Sequence, residues 1–408
     1  MTEKISRASG AAAVGDAGSV GAPVVVGNEP GSFARGVLAE RHPALIRQVR
    51  DAFPYGRRQH EGLDALLHEI TSGVVQPLAP EEHDHASWAA WGREHFGRSW
   101  YDAPFLWAES YFYRRLLGAV GYFGAGPWRG VDPFAPFKRA ELRGDAVEGE
   151  LRALDTLAEA PAEERATALL HASLWGNRAD LGFRVSAREP ETGAAVSAGL
   201  VADDSTTLWR LLPPGTSATV AVVADNAGRE LIPDLVLIDH LLEHGHAARV
   251  ALHVKPCPYF VSDAMTADVV DCLRRLTGAP GDAGRIGGRL WKAMAKGSLE
   301  VRTHPFFCAP LPYEGMPADL REEFAGAVLT ILKGDLNYRR LVGDRLWGPT
   351  VPFAERTAYF PGAVAALRTL KSDVIVGLRP AMLDALERSG TAWRTSGTHA
   401  LVQVRPQG

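Results

Sequence analysis

The segment TVAVVADNAGREL, Thr219 to Leu231, opens with small and β-branched residues and closes on Asp225, Asn226 and a glycine. The first half has the composition of a strand buried on both faces, and the polar end marks where that strand stops. Next comes LIPDLVLIDHLLEHG, with apolar residues at helical spacing, Pro233 in its first turn and Gly245 just past its end. RVALHV, Arg249 to Val254, is a second strand-like run, so Thr219 to Val254 forms one βαβ crossover. Farther along, SLEVRTH, AVLTIL and SDVIVGL are short apolar runs separated by amphipathic segments. This alternation predicts an α/β fold, an α/β/α three-layer sandwich with a largely parallel sheet.

The N-terminal half has a different texture. From about Val37 to Leu170 the apolar residues recur at three and four residue spacing, as in LLHEITSGVV and WAESYFYRRLLGAVGYF, interrupted by GAGPWRGVDPFAPF. The expected organisation is a disordered tail over 1–35, a mainly helical section over 36–200, and an α/β Rossmann-like domain over 201–408 that binds metal and phosphate.

Of the 408 residues, 46% are hydrophobic and 23% charged, and the formal net charge is −4. Those values belong to a globular chain whose overall field attracts neither nucleic acid nor an anionic membrane. An anion must be bound by a local arrangement. Three scattered cysteines, Cys257, Cys272 and Cys308, make neither a disulfide framework nor a zinc-ligand spacing. A reducing, cytoplasmic setting is expected. Glu3, Asp16 and several glycines interrupt the Ala-rich N-terminus, so it lacks the continuous apolar core of a signal peptide. No apolar run reaches the ~18 residues of a membrane span.

Ligands of open α/β sheets bind beyond the carboxyl ends of the strands, where loops diverge. Asp225 and Asn226 lie at one such end, and the loop KPCPYFVSDA after Val254 brings Asp263 to the next. Two carboxylates and an amide oxygen make a hard, oxygen-rich set suited to Mg2+ or Mn2+. Asp-Asn-Ala-Gly after a strand can equally be a turn that caps the following helix. Two further strand ends favour the metal site: AVLTILKGDLNYRRL carries Lys333, Asp335, Asn337 and Arg339, and LRTLKSDVIVGL carries Arg368 and Lys371. A cation flanked by basic residues is the environment a phosphoryl group requires.

DNAGREL, VSDA, KGDLNYRRL and the Arg-Thr-x-Lys of RTLK, in that order, resemble the metal-dependent damage-control phosphatases, in the subfamily marked by the last motif. SLWGNRADL, Ser173 to Leu181, and WAESYFYRRL, Trp107 to Leu116, extend the resemblance to roughly Ala39–Val404. It implies a helical N-terminal part followed by an α/β/α sandwich. It also implies a divalent metal (Mn2+, Mg2+, Co2+ or Ni2+) on Asp225, Asn226 and Asp263, and substrate on Asp335, Leu336, Asn337, Tyr338, Arg339 and Lys371. Some members carry a protein-glutamate O-methyltransferase assignment, which puts S-adenosylmethionine on Glu230 and Asp263.

The expected activity is therefore metal-dependent hydrolysis of a small phosphomonoester, a sugar phosphate or a nucleotide-like sugar phosphate. In this reading Lys371 and Arg339 offset charge on the transferring group, while Asp335 and Asn337 orient sugar hydroxyls. Water activated on the metal is one route, and attack by Asp225 to give an aspartyl phosphate is another. The alternatives are an S-adenosylmethionine-dependent carboxyl methyltransferase and a non-catalytic sugar-phosphate binding module. Partners other than the phosphorylated substrate are not expected, neither nucleic acid nor membrane, and the sequence specifies no oligomeric state. His83 and His85 in EEHDHASW are read as a solvated loop, GAGPWRG as no phosphate loop because no strand precedes it, and Cys257 and His304 as packing residues.

Overall fold

The computed structural model describes residues 21–176 and 199–407. One seven-stranded sheet contains β1 (Leu200–Asp203), β2 (Thr219–Val223), β3 (Arg249–Val254), β4 (Leu299–Thr303), β5 (Leu329–Lys333), β6 (Val364–Thr369) and β7 (Ala400–Arg405). The spatial order is β1-β7-β6-β5-β2-β3-β4. β2 pairs in parallel with both β3 and β5, and β3–β4 and β5–β6 are also parallel. β7 runs antiparallel to β6, with β1 parallel to it at the edge.

The period of two along a strand builds two cores. Val220 and Val222 of β2 pack into one, Ala221 and Val223 into the other. Both faces are apolar, so the sheet needs helices on both sides. In chain order the helices that position the cleft are α1 (Phe33–Gly36), α2 (His42–Ala52), α3 (Phe105–Val120), α4 (Ala135–Leu142), α5 (Ala162–Trp175), α6 (Leu231–Glu243), α7 (Thr266–Thr277), α8 (Gly281–Lys296) and α9 (Gly334–Val342). α5, α6, α7 and α8 supply Leu170, Leu235, Leu273 and Leu290 to the first core, while α9 supplies Tyr338 and Leu341 to the second. This is the three-layer α/β/α arrangement that the sequence predicts. Among the described residues no helix is long and apolar enough to cross a membrane.

A third core belongs to the helical section and includes Trp88, Trp100, Trp107, Tyr111 and Phe112, closed by Tyr259 and Leu336 from the sheet side. The cores do not divide at residue 200. Val147, Leu151, Leu154, Leu169 and Leu170 pack on the sheet, because these helices bury their apolar stripes against it. Part of the expected tail is also engaged: Val24 bridges to Arg345 and Val26 to Pro104, and α1 begins at Phe33.

The run SDVIVGL, expected as a strand, is not one; the strand lies just before it, at Val364–Thr369. Val374, Ile375 and Val376 are apolar because they fill the second core. The Val374 and Val376 carbonyls accept from side chains, Arg368 Nη1 and Gln403 Nε2 respectively.

Candidate active site

β2 continues into the crossover to β3 on one side of the sheet, whereas its other neighbour, β5, continues to β6 on the opposite side. That reversal opens a crevice beyond the carboxyl ends of β2 and β5. Asp225 and Asn226 emerge there. The loop after β3 is tied to them: Ala264 N–H donates to the Asp225 carbonyl at 2.9 Å, Ala227 N–H to the Ser262 carbonyl at 2.6 Å, and Asn226 and Asp263 form an isolated antiparallel bridge. Phe260 and Val261 in this loop have φ of 45° and 67°, left-handed values that non-glycine residues rarely adopt.

From the other side β5 runs into Gly334, the first residue of α9, with φ of +86°. A Cβ there would lie 1.9 Å from Asp225 Oδ2, so only glycine lets the start of α9 approach that carboxylate. The stretch Asp335 to Arg339, expected as a loop, forms the first turns of α9.

The donor set fits a divalent cation. Asp225 and Asp263 are brought together with few donors to neutralise them. Burial, then the charges of Asp263 and Glu230, push the Asp225 carboxyl well above the ordinary range. Burial also raises Asp263, against the opposing effect of Lys255 and Lys138. Lys255 Nζ lies 3.2 Å from Asp263 Oδ2 as an ion pair but outside hydrogen-bond geometry, so that buried oxygen has no hydrogen-bond donor. Two crowded carboxylates, one of them with an oxygen held only by the Lys255 ammonium, are what a hard cation would satisfy. Asn226 Oδ1 accepts from Ser262 Oγ at 2.6 Å, and its amide donates to Glu230 Oε2 at 2.8 Å, which fixes the side chain beside Asp225. A second cluster of possible ligands, Glu82, His83 and Asp84, lies away from this crevice, and there both carboxylates are paired with Arg114.

The remaining expected substrate residues separate into two groups. Asp335, Leu336, Arg339 and Lys371 line the crevice together with Glu230. Asn337 and Tyr338 line neither of its lobes. Asn337 is sealed under the strand ends, donating to the Ala224 and Lys333 carbonyls and accepting from Tyr313; Tyr338 Oη bonds Gln403 at 3.0 Å inside the second core. Those two side chains position α9 instead of facing a ligand.

Arg339 lines the crevice but is committed. Its Nε and Nη2 donate to the two oxygens of Asp344 at 2.7 and 2.9 Å, and its Nη1 donates to Glu109 at 2.7 Å. Lys333 is likewise held, 2.9 Å from Asp234 and 2.7 Å from Ser173 Oγ. Burial raises the Asp335 carboxyl, but Arg368 and Arg339 outweigh it and hold Asp335 below the ordinary range. Lys371 differs: its ammonium has no hydrogen bond or ion pair among the described residues, and Glu230, Asp225 and Asp335 raise its pKa against burial.

The crevice has two lobes that share Phe33, Arg41, Asp225, Asn226, Glu230 and Lys371. The larger, about 440 Å³, is walled by Trp175 and by the hydroxyls of Ser173, Thr369, Thr395, Ser396 and Thr398. The smaller, about 260 Å³, is walled by Glu109, Glu141, Phe260 and Leu336. Sequence reasoning misses the Thr395 to Thr398 turn, which precedes its strand instead of following it. Because β7 is antiparallel, its first residue, Ala400, pairs with Thr369 at the end of β6, so the residues before it arrive beside Lys371. A polar TSGT directly before an apolar run is the signal that could have marked it. Phe33 and Arg41 are also missed, since nothing local ties a helical segment to the sheet. Of SLWGNRADL, residues 177–181 lie outside the described residues.

The family model for the damage-control phosphatase ARMT1-like domain matches residues 37–386. The chain belongs to this damage-control phosphatase family. Among members similar to it, the damage-control phosphatase ARMT1 of Danio rerio is 29% identical over 91% of this chain and 94% of its own length. That of Bos taurus is 32% identical, covering 91% and 96%, and that of Homo sapiens 28%, covering 92% and 97%. A crystal structure of a DUF89 family protein from Pyrococcus horikoshii aligns with 85% of this chain and 94% of that one, at 17% identity and a TM-score of 0.43. Membership in the damage-control phosphatases agrees with the resemblance drawn from the four motifs.

Proposed function

We propose that the protein is a metal-dependent phosphomonoester hydrolase acting on a small phosphorylated metabolite, with a sugar phosphate as the substrate class. The observation that carries this is the meeting of three oxygen donors, Asp225, Asn226 and Asp263, with the ammonium of Lys371, which has no partner among the described residues, in one crevice at the switch point. Relatives named as damage-control phosphatases support it. A divalent cation held by those three residues would supply Lewis acidity and a water of lowered pKa. Lys371 binds the phosphoryl dianion as a point charge. Gly334 lets the start of α9 lie directly against Asp225. The hydroxyl-lined lobe with Trp175 as one wall suits a polyol leaving group.

A methyltransferase needs a donor pocket at the first βα turn. Here that turn carries Asp225 and Asn226, with Glu230 already accepting from the Asn226 amide. The deciding experiment measures phosphate released from a panel of sugar phosphates and nucleotides with Mn2+, Co2+, Ni2+ or Mg2+, against chelator. Metal-dependent turnover is expected. Binding of a sugar phosphate without turnover under every metal points to a binding module, and saturable micromolar S-adenosylmethionine binding with methyl transfer lost in Glu230→Gln points to the methyltransferase.

A further inference from the structure

The cations of the crevice differ in availability. Lys333 and Arg339 are held by Asp234 and by Asp344 with Glu109, and Lys255, beneath Asp263, is paired with it. Two cations that line both lobes, Lys371 and Arg41, make no side-chain hydrogen bond or ion pair among the described residues. Arg41 comes from the helical section, far from the sheet in sequence. It is exposed, and it lines the smaller lobe together with Glu109 and Lys371.

A specific irregularity puts it there. Between α1 and α2 the helix widens into a π-turn, Val37–Arg41, in which His42 N–H donates back to the Val37 carbonyl. Pro43 supplies the cause: it has no N–H for the carbonyl of Ala39, and its ring crowds that carbonyl, so the regular ladder cannot run through. The same rod is fastened at its start, where Ser32 Oγ accepts from Arg35 N–H at 3.2 Å, and Phe33 packs edge-on against Phe105 of α3. An exposed guanidinium on a π-turn, lining both lobes of the crevice, has no hydrogen-bond or ion-pair partner among the described residues.

We propose that Arg41 is a substrate-binding residue, the second cation on the phosphoryl group, in the place that the sequence assigns to Arg339. This rests on the phosphatase reading above. Lys371 reaches the phosphate from the end of β6 and Arg41 from the helical section. Its planar fork can hold two phosphoryl oxygens at once, which a lysine cannot. The helical section thereby contributes a group to the site as well as a wall. Two cations facing one dianion leave the metal ligands free of the phosphate's full charge, so metal affinity does not depend on Arg41.

The test compares wild type, Arg41→Met and Arg41→Lys in three measurements: kcat and KM for a sugar phosphate with saturating Mn2+, titration of inorganic phosphate into the Mn2+-loaded protein by calorimetry, and the thermal midpoint. Arg41→Met is expected to melt with wild type, to bind phosphate at least 10-fold more weakly, and to lose about 10²-fold in kcat/KM. Arg41→Lys should recover part of both losses, keeping the charge but not the fork. Unchanged phosphate affinity in a folded Arg41→Met overturns the proposal, whatever happens to kcat, and so does a wild type that binds no phosphate. If wild type binds phosphate but hydrolyses none of the esters, the phosphatase reading fails. Weakened phosphate binding in Arg41→Met would then still uphold the anion site.

Discussion

Arg339 and Asp344 form a buried two-point pair, Nε to Oδ1 at 2.7 Å and Nη2 to Oδ2 at 2.9 Å, five residues apart at the end of α9. Asp344 Oδ2 also accepts from the Leu106 N–H, so the pair fastens α9 to the start of α3. Replacing Arg339 by Met strands two buried carboxylates, Asp344 and Glu109; burial already raises Glu109 to about 7 even with the guanidinium beside it. The expected result for Arg339→Met is a loss of about 3–5 kcal/mol of stability in urea unfolding. An intact stability with a selective loss of phosphate affinity would return Arg339 to the ligand.

Gly334 and Asp225 give a second expectation. Gly334→Ala places a methyl group where Asp225 Oδ2 stands and forces a residue with a side chain to φ near +86°. Either Asp225 moves or β5 does. We expect Mn2+ affinity to fall at least 10-fold by calorimetry, with a stability cost of about 1–3 kcal/mol. Wild-type metal binding in this variant would mean that the close approach is not needed for the site.

The parts of the site that are legible in the sequence are those that follow a strand. Asp225 and Asn226 directly follow the apolar run of β2 and Asp263 lies on the loop after β3, so the geometry of a parallel sheet brings them together. Lys371, by contrast, is legible through the RTLK motif and not through its strand, Val364–Thr369, which the sequence reading places one run too late. Lys333 to Leu341 misleads because its polar side chains are buried with distant partners. Asn337 caps the Ala224 carbonyl and Arg340 binds the Phe306, Phe307 and Leu311 carbonyls, so a helix facing the core looks like a solvated loop. Periodicity carries no information about such partners. Arg41 and the Thr395 to Thr398 turn are hidden for a related reason. One depends on how a helical rod docks, and the other on the antiparallel direction of β7.

The carboxylate pair sets stability against metal binding. In the metal-free protein, burial and then the charges of Asp263 and Glu230 disfavour the ionised form of Asp225. Asp225→Asn removes that charge in nearly the same volume. With chelator at pH 7, the variant should therefore be more stable than wild type by on the order of 1 kcal/mol. Adding Mn2+ at ~100 times its dissociation constant should reverse the order, raising wild type by about 2.7 kcal/mol and leaving the variant unmoved. A variant that still gains from Mn2+ would remove Asp225 from the ligand set.

Lys371 stands at the start of the turn after β6, with its backbone N–H on Asp335 Oδ1 at 3.2 Å and its side chain lining both lobes of the crevice. The backbone contact is independent of the side chain, so Lys371→Met should leave the turn in place while removing the charge. A point charge facing a dianion in a partly enclosed crevice contributes most when the phosphoryl group is transferring. We expect kcat/KM to fall on the order of 10²-fold, about 3 kcal/mol, with metal affinity unchanged or slightly improved, since a nearby positive charge no longer opposes the cation. Combined with Arg41→Met, the two losses should exceed either alone but fall short of their product, because both cations act on one phosphate. If Lys371→Met instead loses its metal and turns over normally once metal is saturating, Lys371 supports the ligands and the phosphate lies elsewhere.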